Sequence, residues 1–177
     1  MKHLIVLPGN SPKNEAWGSV CADHFASEFD EVTVQSYTHW QSGEPVIDFE
    51  VEKATLAATV EASPEATWFV FAKSAGTILA LEAVAAGIIT PKQCVFFGMP
   101  LDLAAEDLYS EDWSSLDSFS VPTLAFHNEY DPVAAYAFTK VKTDDKPNIE
   151  LVTLPGDTHD YDDFSQYKVR VAEFLGL

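Results

Sequence analysis

The chain has 177 residues and a formal net charge of −18, and 47% of its residues are hydrophobic. That length suits one domain able to bury about 70% of its unfolded surface. The acidic excess argues against nucleic acid and anionic membrane surfaces as partners, since both select clustered Lys and Arg. Short apolar runs then alternate with helix-period segments along the chain. Strands are predicted at 3–7, 31–35, 67–72, 93–97, 122–127 and 148–153, and helices at 14–28, 49–62, 75–86, 132–142 and 161–175. The first run, Leu4 to Leu7, is too short for a signal peptide and no window reaches the apolar length of a membrane span. Leu4-Ile5-Val6-Leu7 and Phe69-Val70-Phe71 are continuously apolar, as strands buried on both faces are. Strand–helix alternation implies βαβ crossovers and a parallel sheet covered on both faces. The expected architecture is a single α/β domain over 1–177, a three-layer sandwich with a six-stranded, mostly parallel sheet and helices on both faces. Ligands in such sheets gather at the carboxyl ends of the strands.

Two features refine this outline. Cys21 falls in a helix and Cys94 at the head of a strand, with no partner spacing; both read as reduced core residues, which implies the cytoplasm. The connection at 101–119 is long, acidic and weakly periodic, and it carries Tyr109 and Trp113. It is either a short cap over a site or a plain surface crossover.

Chemistry concentrates in three loops. The strand ending at Ala72 stops at Lys73-Ser74-Ala75-Gly76 and a helix begins at once. Ser74 thus stands on a strand-to-helix turn between the small residues Ala72 and Gly76, the setting of a nucleophile elbow; the competing reading is a simple helix N-cap. The helix start would place the amide of Ala75 beside a developing oxyanion. A serine nucleophile needs a base, and the base an orienting acid. The fifth strand leads into Asn128-Glu129-Tyr130-Asp131-Pro132, and Asp131 is favoured over Glu129 because its shorter side chain fits a helix entrance. The sixth leads into Gly156-Asp157-Thr158-His159, so an acid and then a histidine follow the serine in loops after later strands. His159 is the candidate base; His127 precedes the acid and could only line the site. The loop after the first strand, Pro8-Gly9-Asn10-Ser11, supplies the second oxyanion amide, assigned to Asn10 with Gly9 or Ser11 as alternatives. Asp157, His159, Asp160, Asp162 and Asp163 could ligate a metal but read better as a histidine loop followed by first-turn carboxylates of the last helix. Lys73 points away from its neighbour Ser74, and a place on the site rim is expected for it.

On Ile5-Val6-Leu7-Pro8-Gly9-Asn10 with Trp17, Lys73-Ser74-Ala75-Gly76, Asp131-Pro132 and Gly156-Asp157-Thr158-His159, the chain resembles the α/β-hydrolase superfamily over nearly its whole length. Within it, the chain looks most like the compact serine hydrolases typified by retinoblastoma-binding protein 9. The resemblance implies a six-stranded parallel sheet without the antiparallel first hairpin of larger members, and a triad of Ser74, Asp131 and His159. Ala72 departs from the usual glycine and Lys73 from a common histidine. The expectation is a serine hydrolase acting on a small-molecule acyl substrate, with no cofactor and no metal, and with Met99, Leu101 and Trp113 as pocket walls. The competing expectation is a catalytically silent scaffold of the same fold that binds a protein partner.

Overall fold

The computed structural model describes residues 1–105 and 114–177. Its strands are β1 (Lys2–Leu7), β2 (Glu31–Val34), β3 (Thr67–Lys73), β4 (Gln93–Phe97), β5 (Thr123–Asn128) and β6 (Ile149–Leu154). They form one six-stranded sheet in the order β2-β1-β3-β4-β5-β6, and every neighbouring pair is parallel. The helices are α1 (Asn14–Phe25), α2 (Thr38–Ser42), α3 (Phe49–Glu61), α4 (Ala75–Ala85), α5 (Leu101–Ala105), α6 (Ser114–Asp117), α7 (Tyr136–Thr143) and α8 (Lys168–Leu175).

Strand alternation sorts the core into two layers. Ile5, Leu7, Val70, Ala72, Cys94 and Phe96 face α3 and α4, joined by Leu56, Ile78 and Leu79. Leu4, Val6, Phe69, Phe71, Val95 and Phe97 face α1 and α8, joined by Trp17, Cys21, Phe25 and Val171. Central strands buried on both faces explain why their sequences run apolar without a break. Cys21 and Cys94 are free and buried, one in each layer, and burial pushes both thiols up from their ordinary values. Among the described residues no helix is long and apolar enough to cross a membrane.

The strand order places the site. From β1 the chain moves outward to β2, returns to β3, and then proceeds the other way through β4, β5 and β6. The carboxyl ends of β1 and β3 are therefore the switch point of the sheet, where a crevice opens between diverging connections. Leu7 pairs with Ala72 across that junction, which brings the loop at 8–11 beside the turn at 73–76.

Several boundaries differ from the sequence reading. The helix expected at 132–142 begins only at Tyr136, because the Asp131 carboxylate takes the amides of Val133 and Ala134 and holds that stretch as a turn. The helix expected at 161–175 begins at Lys168, after a 3-10 turn at Phe164–Gln166. Asp160, Asp162 and Asp163 are consequently not first-turn residues of the last helix; they precede it, and Asp163 caps the 3-10 turn through Ser165. Helix α2 has no counterpart among the predicted elements. Of the stretch read as a cap or crossover, α5 and α6 are its described ends, and Tyr109 and Trp113 lie outside the described residues.

Candidate active site

Ser74 sits between β3 and α4 with φ 51° and ψ −125°. A serine at positive φ costs about 1–3 kcal/mol and persists only where its surroundings over-determine it. Here its amide donates to the Phe97 carbonyl at 2.9 Å, while its own carbonyl accepts from Thr77 N at 2.8 Å and Thr77 Oγ1 at 2.7 Å. The Ser74 side chain makes no capping bond to α4, so the residue stands at the cap position without acting as one. Close packing explains the small residues around it. A Cβ on Gly76 would lie 2.0 Å from the Leu7 carbonyl oxygen, so only glycine lets α4 start against the end of β1.

Asp131 and His159 meet although they are far apart in sequence. His159 Nδ1 lies 2.7 Å from Asp131 Oδ2 and 3.0 Å from Oδ1, so this nitrogen carries the hydrogen that the carboxylate accepts. Asp131 Oδ1 also accepts from Val133 N and Ala134 N, each at 2.9 Å, and Oδ2 accepts from Tyr161 Oη at 2.7 Å. Burial alone would push the Asp131 carboxyl up, but the hydrogen bonds from His159, Ala134 and Tyr161 outweigh it and hold the group down at about 2. The carboxylate is thus ionised and fixed in one rotamer. His159 Nε2 is buried without a hydrogen-bond partner, so the bond from Ser74 to His159 is not made in this structure. The imidazole rests on the end of β4: a Cβ on Gly98, where φ is +56°, would come 2.9 Å from His159 Cε1. Ser74 N is bonded to the residue immediately before that glycine, which sets serine and imidazole over the same strand end.

The loop after β1 is held from outside. The Asn10 carbonyl accepts from Trp40 Nε1 at 2.8 Å and lies 2.7 Å from His39 Nε2, both on α2. The Asn10 side chain donates to Pro45 O at 3.0 Å and accepts from Ile47 N at 2.7 Å. A Cβ on Gly9 would lie 3.2 Å from the Ser74 Cβ, so this loop packs directly on the serine. Among the described residues no protein acceptor takes the backbone N–H of Asn10 or of Ala75.

Other expectations change. Lys73 does point away from Ser74, as strand alternation requires, but it is buried and not at a rim. Its Nζ donates to Asn14 Oδ1 at 2.8 Å and lies over the Trp17 ring. A cavity of about 250 Å³ beside it is lined also by Asp160 and Asp162. Burial lowers the Lys73 ammonium to about 8, against the carboxylates of Asp160, Asp162 and Asp131, which favour the charge. Met99 and Leu101, expected as pocket walls, are fully buried in the core layer of α3 and α4. His127 is fully buried with Nε2 2.9 Å from the Ala134 carbonyl, a packing position beside the acid loop. Glu129 is exposed. Tyr161, His39 and Trp40 had no sequence signal; each contributes through a contact that only the folded chain creates. Among the described residues no group of His, Cys, Asp and Glu side chains is arranged to hold a metal ion.

No protein-family model matches the sequence, and neither does any curated protein sequence. Solved structures do match. Est1E from Butyrivibrio proteoclasticus, in a structure with ferulic acid bound, has a TM-score of 0.78 at 15% identity, covering 99% of this chain and 88% of that one. An α/β-hydrolase from Sphaerobacter thermophilus has a TM-score of 0.68 at 19% identity, covering 98% and 93%. YbtT, the type II thioesterase of the yersiniabactin pathway, has a TM-score of 0.66 at 16% identity, covering 99% and 93%. The chain has the α/β-hydrolase fold.

Proposed function

We propose that the protein is a serine hydrolase that cleaves small ester or related acyl substrates through an acyl-enzyme intermediate. The observation that carries this reading is the Asp131–His159 pair, a buried, ionised carboxylate 2.7 Å from Nδ1, with Nε2 left unpaired. In the proposed reaction Ser74 Oγ attacks the acyl carbon and His159 Nε2 takes its proton. The amides of Ala75 and Asn10 hold the oxyanion of the tetrahedral intermediate. The intermediate collapses as His159 returns the proton to the leaving group, and water then repeats the sequence to release the acid. Asp131 keeps the neutral imidazole in the Nδ1–H tautomer and stabilises the imidazolium that forms when Nε2 takes the proton. The similarity in fold to an esterase and a thioesterase is consistent with acyl transfer.

A small substrate fits the connections between the strands, which are taken up by the helices of the sandwich and leave little chain for a large inserted lid. Each buried methylene adds about 0.8 kcal/mol, so in an ester series from acetate to laurate affinity should climb over the first few carbons and then stop. A maximum at laurate would overturn this part. The buried free cysteines support a cytoplasmic location.

A fluorophosphonate probe tests the reaction class. Covalent labelling of the wild type on Ser74, lost in a folded Ser74→Ala variant that also loses hydrolysis, is the expected result. A folded wild type that takes no label points to a silent scaffold. More than a tenth of wild-type activity in Ser74→Ala removes serine from the mechanism.

A further inference from the structure

Tyr161 lies two residues beyond His159, is buried, and adopts φ 51°. Its carbonyl accepts from Trp17 Nε1 at 2.8 Å, which ties this unusual backbone to α1. Its hydroxyl accepts from Asn128 N, at the end of β5, at 2.9 Å. With that N–H occupying one side of the oxygen, the phenolic hydrogen is directed at Asp131 Oδ2, 2.7 Å away. The same Oδ2 receives His159 Nδ1–H. The Tyr161 ring stands edge-on to the His159 ring, with centroids 5.8 Å apart and an interplanar angle of 83°. It leaves no room above Gly98, where a Cβ would come 2.6 Å from Tyr161 Cε2.

Resting on the reading of Asp131 and His159 given above, we propose that Tyr161 is a positioning residue of the active site, acting through Asp131. It joins the loop that carries the base to the loop that carries the acid, and shares the carboxylate oxygen that orients the imidazole. The acid therefore has four donors of which only one, His159, is the working partner. Tyr161 limits how far the carboxylate can rotate when the imidazole gains charge, and it tempers the basicity of Oδ2 toward Nδ1–H. A tyrosine filling only core space would need neither the hydroxyl nor the positive φ.

The experiment combines kinetics with proton NMR of the resting protein. Tyr161→Phe keeps the ring and deletes the donor. The expected result is a kcat about tenfold lower, the loss typical of one charge-assisted hydrogen bond, with KM within about twofold. In an Asp131→Asn background the same change should cost less than about twofold, because the effect passes through the carboxylate. The His159 Nδ1–H resonance should move downfield in Tyr161→Phe, as Oδ2 loses its second donor. Replacement of Tyr161 by 3,5-difluorotyrosine, a stronger donor of nearly the same shape, should move it upfield. An unshifted resonance in both variants overturns the proposal, as does an equal loss of kcat with and without Asp131. If Tyr161→Phe does not fold, the fluorinated residue decides alone, and no shift there overturns it. The resonance is read without substrate, so it reports on Tyr161 even if labelling shows that Ser74 is not a nucleophile.

Discussion

The loops flanking Ser74 are secured in opposite ways. On the β5–β6 side, hydrogen bonds converge on a side chain: the Asp131 carboxylate takes His159, Tyr161 and the amides of Val133 and Ala134. On the β1 side they converge on a peptide: the Asn10 carbonyl takes the indole of Trp40 and adjoins the His39 ring, while the Asn10 side chain anchors to 45 and 47. The first set is charge-assisted and buried, where each bond is worth roughly twice a neutral one. The second is neutral and closer to solvent. Under the proposed mechanism this difference follows from what each loop supplies. An acid must be held in charge and rotamer, and only donors to its own oxygens can do that. An oxyanion donor is a main-chain N–H, which is oriented by holding the peptides around it.

The comparison predicts unequal costs. Asp131→Asn, which forces the wrong imidazole tautomer, should lower kcat/KM by about 10⁴-fold. Glu129→Gln should change it by less than about twofold, since the Glu129 side chain is exposed. If Glu129→Gln proves crippling and Asp131→Asn mild, the assignment of the acid is wrong. Asn10→Ala removes two anchors of the β1 loop and should cost about 1–2 kcal/mol in urea-measured stability, with a loss of kcat nearer tenfold. Trp40→Phe leaves the His39 contact in place, and its stability cost should stay near 1 kcal/mol. A Trp40→Phe effect on kcat as large as that of Asp131→Asn would erase the distinction between the two loops.

Acid and alkali sharpen the same contrast. The Asp131 carboxyl lies at about 2, below its ordinary 3.8. Its contribution to stability is therefore complete above 3.8 and is lost as pH falls from there toward 2. Asp131→Asn should flatten that part of the acid unfolding curve. Lys73 behaves oppositely: burial brings it to about 8 from an ordinary 10.5, so the folded chain resists its charge. Its penalty is full below 8 and is relieved as pH rises toward 10.5. The stability difference between wild type and Lys73→Met should narrow across that window, the smallest effect of the series. A constant difference would mean that Lys73 is not desolvated.

The apolar runs from Leu4 and from Phe69 announce central strands, because only burial on both faces tolerates such sequences, and alternation with helical segments leaves little choice but a parallel sheet. The turn residues at Pro8-Gly9, Lys73-Ser74-Ala75-Gly76, Asp131-Pro132 and Pro155-Gly156 mark the loops where polar chemistry can reach the sheet edge. Such signals are legible because propensity and periodicity act over a few residues. The remaining features depend on register and strand order. Lys73 lies under α1 because β3 alternates, and Met99 and Leu101 are taken into the core layer of α3 and α4. Helix α2 is too short for a periodic signal, yet it clamps Asn10 from about thirty residues away. The carboxylate, imidazole and phenol of Asp131, His159 and Tyr161 come from two loops that meet only because β6 pairs with β5, placing Asn128 opposite Leu154. The sequence alone determined the strand–helix alternation and the loops that bear polar side chains. Which of those side chains touch was decided by the tertiary structure, because hydrogen bonds and burial depend on distance in space, and that distance exists only once the sheet has closed its register.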